Sequence, residues 1–406
     1  METVPFGKKS YVNLYVTTQL ILGGKIMRKR KLVAVLATVA VVASLFAGCG
    51  SSNKGTTDKG KDQTNQTKKS DVIIGLATDE GGLNDKSFNQ AADTGIKKVQ
   101  SESGVQYKPV ESTNKDAYTA NLQALALDMK SNLTFAIGYQ MEKALTDVAK
   151  QAKDSNFAIV DTVVNLPNVQ SLVFKEHEGS FLMGVIAAKT TKTGKIGFIG
   201  GKEGDLIGKF EAGYVAGARA VNPNIKVDVR YADSFAESAK GYELAKAEYG
   251  EGADIIYHAA GGVGLGLFQA TKELRKAGKQ VWAIGVDMDQ AITVLDENKK
   301  PIYADVILTS MIKRVDTATY EASKEIVEGK FKGGTVKVFG LAEEGVGIAP
   351  SSRGVIPEDM KGLVKSNVPQ DVLALADKYI AAIKEGKIAV PEKPADAKKF
   401  TAEPIK

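Results

Sequence analysis

The sequence predicts an α/β protein of two tandem lobes, each built on a parallel sheet with helices on both faces. Three observations predict it. Apolar, β-branched runs alternate with helix-period segments from residue 71 onward. The strand candidates are near-continuous apolar runs, as expected of strands covered on both faces. The 41 glycines and 7% aromatic residues suit a chain with many tight strand-to-helix turns. The 406 residues exceed one ordinary core, while 43% hydrophobic and 25% charged residues describe a globular chain.

The first lobe begins with a strand at Val72–Thr78 and a helix at Phe88–Ser103. Strand Lys108–Glu111, helix Asp116–Lys130, strand Thr134–Gly138, helix Met141–Asp154 and strand Phe157–Asp161 follow, with Val169–Phe174 extended. The second series has strands Ile196–Ile199, Val227–Tyr231, Ile255–His258 and Val281–Val286. Its helices are Ile207–Val221, Ser238–Tyr249 and Leu267–Gly278. The tail adds strand Ala304–Leu308, helix Val315–Glu328, a β-like Thr335–Phe339 and helix Asp371–Glu385. Strand–helix–strand order calls for right-handed crossovers. The expected division is lobe 1 at 71–174 plus about 288–330, and lobe 2 at 175–287 plus about 331–406. Such a pair of lobes suits either two nucleotide-binding halves or a two-lobed binding protein.

The N-terminus reads as an address. Residues 1–48 hold seven Lys/Arg and one Glu. They carry the whole formal charge of +6, and the rest sums to 6 − 6 = 0. No basic body remains for a nucleic acid. Met27 opens a positive n-region, Leu32–Phe46 is an apolar h-region, and Ala47-Gly48-Cys49 is a small-residue cleavage site. A Cys placed directly after Ala-Gly matches a bacterial lipobox, with Phe46 in place of the usual Leu. Cys49 is therefore the expected lipidation site, and two or three acyl chains anchor a protein stably. The start at Met27 is expected to be the true one, with Gly23-Gly24 upstream read as a translated ribosome-binding site. Residues 50–70 hold no aliphatic or aromatic side chain and read as a flexible tether. The expected place of work is the extracytoplasmic face of a cell membrane.

In open α/β sheets, ligands sit beyond the carboxyl ends of the strands. That rule selects Asp79, Asn84, Asp85 and Phe88 after the first strand and Asp161 after the fourth. In the second lobe it selects Gly200-Gly201, Asp233, Ala259 to Gly266, and Asp287. Phe88 follows polar loop residues, where a ring is either a helix-entry staple or a platform for a flat ligand. A carboxylate at Asp287 can accept from two adjacent hydroxyls. Gly262-Val-Gly264-Leu-Gly266, with Asp287 about twenty residues on, approaches a dinucleotide fingerprint but departs from G-x-G-x-x-G. An exported address also argues against a nicotinamide cofactor.

Enzyme chemistry finds little support. There is no G-x-S-x-G, no P-loop ending, no H-E-x-x-H, and only His177 and His258. One cysteine excludes a multi-thiolate zinc site. Glu176, His177 and Glu178 are consecutive and point in different directions, so they read as a helix start rather than a metal site. No cofactor is expected.

The cluster Phe174-Lys-Glu-His-Glu-Gly-Ser-Phe181 is the most specific string. Asn84-Asp-Lys-Ser-Phe-Asn89, Ile256-Tyr-His-Ala-Ala-Gly-Gly-Val-Gly264 and Ile284-Gly-Val-Asp-Met-Asp-Gln290 accompany it. Over about residues 71–345 the chain resembles the basic membrane protein family, purine-nucleoside-receptor-like substrate-binding lipoproteins of ABC importers. The resemblance implies a type I periplasmic-binding-protein fold, with two Rossmann-like lobes, a hinge and three crossovers. It also implies a nucleoside ligand and ABC permease and ATPase partners. By motif, Phe88 would stack on the base, with Asp79 and Asn89 beside it and Asp161 on the base edge. Asp287 would hold the ribose, the Gly261-Gly262 backbone would approach closely, and Lys313 would contact the ligand. Phe210 is the candidate second wall with His258 behind it, and Asn84 completes the set. Phosphorylated nucleotides should be repelled by the three acids. A sensory receptor, a nucleoside hydrolase, and a receptor for a sugar or other small polar ligand remain alternatives.

Overall fold

The computed structural model describes residues 70–401 and Ile405. The leader, the lipobox with Cys49 and the tether lie outside the described residues. No helix among the described residues is long and apolar enough to cross a membrane.

The first lobe contains β1 (Ile73–Ala77), α1 (Phe88–Ser103), β2 (Gln106–Val110), α2 (Ala117–Gln123), β3 (Leu133–Ile137), α3 (Glu142–Gln151), β4 (Phe157–Val160) and β5 (Val169–Phe174). α2 runs on into a π-helical turn at Ala124–Asp128. Helix α4 (Glu176–Thr190) leads into the second lobe. There follow β6 (Lys195–Gly200), α5 (Asp205–Val221), β7 (Lys226–Tyr231), α6 (Ser238–Gly250), β8 (Ile255–Ala259), α7 (Gly264–Lys276) and β9 (Trp282–Asp287). The remainder supplies α8 (Gln290–Thr293), β10 (Ile307–Lys313), α9 (Val315–Val327), β11 (Val336–Phe339), β12 (Val346–Ile348) and α10 (Gln370–Lys384).

Each lobe carries a six-stranded sheet. The orders are β11-β5-β4-β3-β1-β2 and β12-β10-β9-β8-β6-β7. Every named pairing is parallel except β10 with β12. The inner strands β3, β4 and β8 are buried at every position, as their unbroken apolar sequences require.

The tail corrects the expected division. β10 pairs with β9 in the second sheet, and β11 pairs with β5 in the first. Residues 288–313 thus stay with the second lobe, α9 and β11 return to the first, and β12 crosses back. α9 packs on α1, where Thr319 donates to the Ala92 carbonyl at 3.1 Å. The chain therefore crosses at Phe174–Glu176, at Lys313–Val315 and between Phe339 and Val346. The strand expected at Ala304–Leu308 also shifts. The N–H groups of Val306 and Ile307 bond back to the Tyr303 carbonyl, a turn that delays the strand to Ile307. β10 consequently ends on Lys313.

Helices α4 and α5 cross at backbone contact. A Cβ on Gly184 would lie 2.1 Å from the Tyr214 carbonyl oxygen, and one on Gly217 would lie 1.9 Å from that of Phe181. The Gly217→Ala variant is expected to lose at least about 1–3 kcal/mol of stability, read by urea unfolding, because neither backbone can retreat without repacking.

Candidate functional site

The carboxyl ends of both sheets face one cleft. Asp79 follows β1, Asp161 follows β4, Gly261 follows β8, and Asp287 and Lys313 end β9 and β10. Asp161 and Asp287 adopt left-handed φ values of 75° and 64°. Short acids tolerate that region better than most residues, and such strain clusters at functional sites. Gly138 has φ 115°, and a Cβ there would sit 3.2 Å from an Asp79 oxygen.

The cleft holds about 500 Å³ of space, its open mouth included. Four aromatic side chains line it, Phe88 and Tyr139 from the first lobe and Phe210 and Phe235 from the second. The Lys313 ammonium lies 5.1 Å from the centre of the Phe88 ring and 5.5 Å from that of Phe210. It also lies 5.0 Å from that of Phe174.

Lys313 is 1% exposed. It donates to Asp161 Oδ2 at 2.6 Å and pairs with Glu176 Oε1 at 3.2 Å. Burial alone would lower its pKa, but the carboxylates of Asp161, Glu176 and Asp287 hold it well above the usual lysine value. Burial pushes the Glu176 carboxyl up to about 7, with Lys313 pulling the other way. Burial likewise raises Asp79 and Asp287 to about 6 each. Asn89 donates its amide to Asp79 at 2.7 Å and to Asp85 at 3.1 Å. With both amide protons directed at carboxylates, its oxygen is the remaining pole. That oxygen and Asp161 Oδ1 are buried without a partner in the protein. Buried acceptors of this kind are costly unless water or a ligand donates to them.

Asp85 has another task. Its carboxylate accepts from the backbone N–H groups of Ser87, Asn89 and Gln90 at 2.8–3.1 Å and so caps α1. Ser87 Oγ is thereby free to reach across and donate to Asp287 Oδ2 at 2.5 Å.

Asp79, Phe88, Asn89, Asp161, Phe210, Gly261, Asp287 and Lys313 all line the cleft. Asn84 and Gly262 do not. Asn84 is exposed and accepts only from Lys86 at 3.3 Å. Gly262 is buried, its N–H bonded to the Phe235 carbonyl at 2.8 Å. His258 is not behind Phe210 as a lining group. It meets Gln290 at 3.0 Å and the edge of Phe268, and burial lowers it to about 4. Asp289 lies past the end of β9 and accepts from the backbone N–H and hydroxyl of Ser351. Glu176 turns to Lys313 while Glu178 accepts from the Leu341 N–H, and no metal cluster occurs among the described residues.

Tyr139 and Phe235 were missed. Tyr139 directly follows β3 and Gly138, so the strand-end rule could have found it. Phe235 lies four residues beyond β7, where no pattern marks it.

A family model for ABC transporter substrate-binding proteins of the PnrA-like kind matches residues 73–388. The chain belongs to that family. A nucleoside-binding ABC transporter protein of Lactococcus lactis is 37% identical, over 90% of this chain and all of its own. A CD4+ T-cell-stimulating antigen of Listeria monocytogenes is 38% identical, over 91% of this chain and all of its own. Basic membrane protein A of Borreliella burgdorferi is 34% identical, over 74% of this chain and 86% of its own. Among solved structures, a solute-binding protein of an Aeropyrum pernix ABC transporter superposes with a TM-score of 0.68. It is 25% identical and covers 81% of this chain and 96% of that one. A solute-binding protein of this fold holds a ligand for permease components and catalyses no reaction.

Proposed function

We propose that this chain is an extracytoplasmic, lipid-anchored receptor that captures a nucleoside, foremost a purine nucleoside, and delivers it to a membrane permease. One observation carries the reading. A single buried cleft joins aromatic rings from both lobes to a strand-end carboxylate and to acceptors that lack protein partners. A nucleoside is a flat base that stacks, a base edge with N–H donors, and a vicinal diol. Phe88 and Phe210 would sandwich the base, Asp79, Asn89 and Asp161 would face its edge, and Asp287 would accept from the ribose hydroxyls. Gly261 lets the backbone come close, and Lys313 holds Asp161 in place. The nucleoside-binding relative from Lactococcus lactis points the same way.

The mechanism is hinge closure, with the three crossovers as hinge. Closure brings the second-lobe Asp287, Phe210 and Lys313 against the first-lobe Phe88, Asp79 and Asp161. Closed lobes form the surface a permease would read. A phosphate is disfavoured by the acids. Its charge would meet Asp79, Asp161 and Asp287, with Lys313 already paired.

A thermal-shift panel tests the class. Purine nucleosides are expected to raise the melting temperature, with the corresponding monophosphates, free bases and simple sugars giving much smaller shifts. A ligand at a hundredfold over its Kd adds about 2.7 kcal/mol. Shifts with sugars alone would leave the fold and discard the nucleoside.

The binding is also expected to depend on pH. A diol donates to ionised Asp287, so ligand lowers that pKa from about 6 and binding releases a proton. Affinity is therefore full above about pH 7 and falls as pH drops through about 6. Calorimetry should show Kd about tenfold weaker at pH 5 than at pH 7.5, by one-proton linkage.

A further inference from the structure

We propose that Glu80 is the latch of the cleft, a positioning residue that sets how long a captured ligand stays. The proposal rests on the reading that ligand is held by lobe closure. Glu80 follows Asp79 in the loop after β1, on the first lobe. Its partners belong to the second lobe, where Lys202 follows β6 and Phe235 follows β7. Glu80 Oε1 lies 2.7 Å from the Lys202 ammonium, which also donates to Oε2 at 2.9 Å. The same Oε1 accepts from the Phe235 backbone N–H at 3.2 Å. One carboxylate thus fastens two separate loops of the opposite lobe. The Glu80 and Lys202 side chains are only 17% and 19% exposed, so water and salt weaken the pair less than at an open surface.

Position gives this contact its leverage. The crossovers leave from β5, β10, β11 and β12, which lie on one side of the two sheets. β1, β6 and β7 lie toward the other side. A hinge at the crossovers separates the Glu80 loop from its partners by a long arm.

Glu80 and Lys202 do not line the cleft, whereas Phe235 does. The Phe235 ring meets Tyr139 of the first lobe edge-on, centroids 6.5 Å apart at 85°. The Lys202 ammonium lies 5.9 Å from the centre of the Phe235 ring. Glu80 therefore acts on a ligand only through Phe235 and the closed geometry. Two other charged contacts between lobes, Ser87 with Asp287 and Asp161 with Lys313, employ groups of the ligand site itself, while the Gln290 amide donates to the Lys86 carbonyl at 2.9 Å. A bound ligand competes for those groups but leaves the Glu80 contacts untouched.

The test has a ligand-free arm and a ligand arm, both on the full chain in detergent. Deuterium exchange at the Phe235 amide is followed without ligand, and guanosine release is followed by stopped flow. Glu80→Gln keeps an acceptor for the Phe235 N–H but removes the charge. It is expected to speed Phe235 exchange several-fold and guanosine release about tenfold, with association nearly unchanged. Lys202→Met should do the same, and the double variant should add nothing further. Unchanged Phe235 exchange, or additive effects of the two substitutions, would overturn the latch. Failure of the wild type to bind guanosine would count against the nucleoside reading instead, and the exchange arm would still decide the latch.

Discussion

Lys313→Met is expected to lower the unfolding free energy by about 3–5 kcal/mol near pH 8, the usual cost of removing one partner of a buried ion pair. Methionine nearly conserves the volume, and its thioether suits the three rings now around the ammonium, so packing is not the cause. The cause is charge. Asp161 and Glu176, with side chains 4% and 1% exposed, would be left as two buried carboxylates with only the Lys209 ammonium nearby, 3.9 Å from Glu176 Oε2. Without Lys313, burial would hold the Glu176 carboxyl still further above its unfolded value. A carboxyl raised in this way binds more protons folded than unfolded. Stability is then lost as pH rises through the window between the two values and regained on acidification. Glu176, already near 7 with Lys313 present, would be protonated well before pH 5.5. Urea unfolding at pH 8 and pH 5.5 checks this, with a smaller deficit expected at the lower pH. A loss below about 1 kcal/mol, equal at both pH values, would show that the lysine is not the counter-ion of the site. Adding Glu176→Gln to Lys313→Met should recover part of the stability.

Asp287→Asn should weaken nucleoside binding about a hundredfold or more. A diol on a carboxylate makes two charge-assisted hydrogen bonds, each contributing about 1.5–3 kcal/mol, and an amide retains only one weaker acceptor. Ser87 already donates to Oδ2 at 2.5 Å, so Oδ1 takes one hydroxyl and Oδ2 shares itself with the second. Deoxygenated ligands make the assignment specific. A 2′,3′-dideoxynucleoside should bind wild type about as poorly as the riboside binds Asp287→Asn. It should lose little more on the variant. Equal losses for both ligands would place the diol elsewhere. Phe88→Ala should weaken both ligands alike, by about 1–3 kcal/mol for a lost base stack.

Much of this site could be read from the sequence because strand ends are legible. Val72–Thr78, Phe157–Asp161 and Val281–Val286 are apolar runs that stop at or just before an acid, and the observed β1, β4 and β9 lie within a residue or two of them. Phe88 was visible as the first helical residue, since the polar loop before it contains the capping Asp85. Which sheet a strand joins was not legible. Ile307–Lys313 and Val336–Phe339 look alike as local patterns, and only the register with β9 and β5 separates them. Gly261 and Gly262 differ by one position in a 3-10 turn, which directs one to the cleft and the other to the Phe235 carbonyl. Asn84 is a polar residue of the same loop, but the turn that lets Asp85 cap α1 leaves it in solvent. Phe235 was invisible because its place depends on Glu80, 155 residues away.

The structure of the full chain with a bound purine nucleoside tests the central claim most directly. One ligand is expected in the cleft, its base between Phe88 and Phe210 and its hydroxyls on Asp287. The free oxygens of Asn89 and Asp161 should accept from the base edge. A ligand seated outside the cleft, or one whose diol faces away from Asp287 while the base leaves Phe88 unstacked, would contradict it.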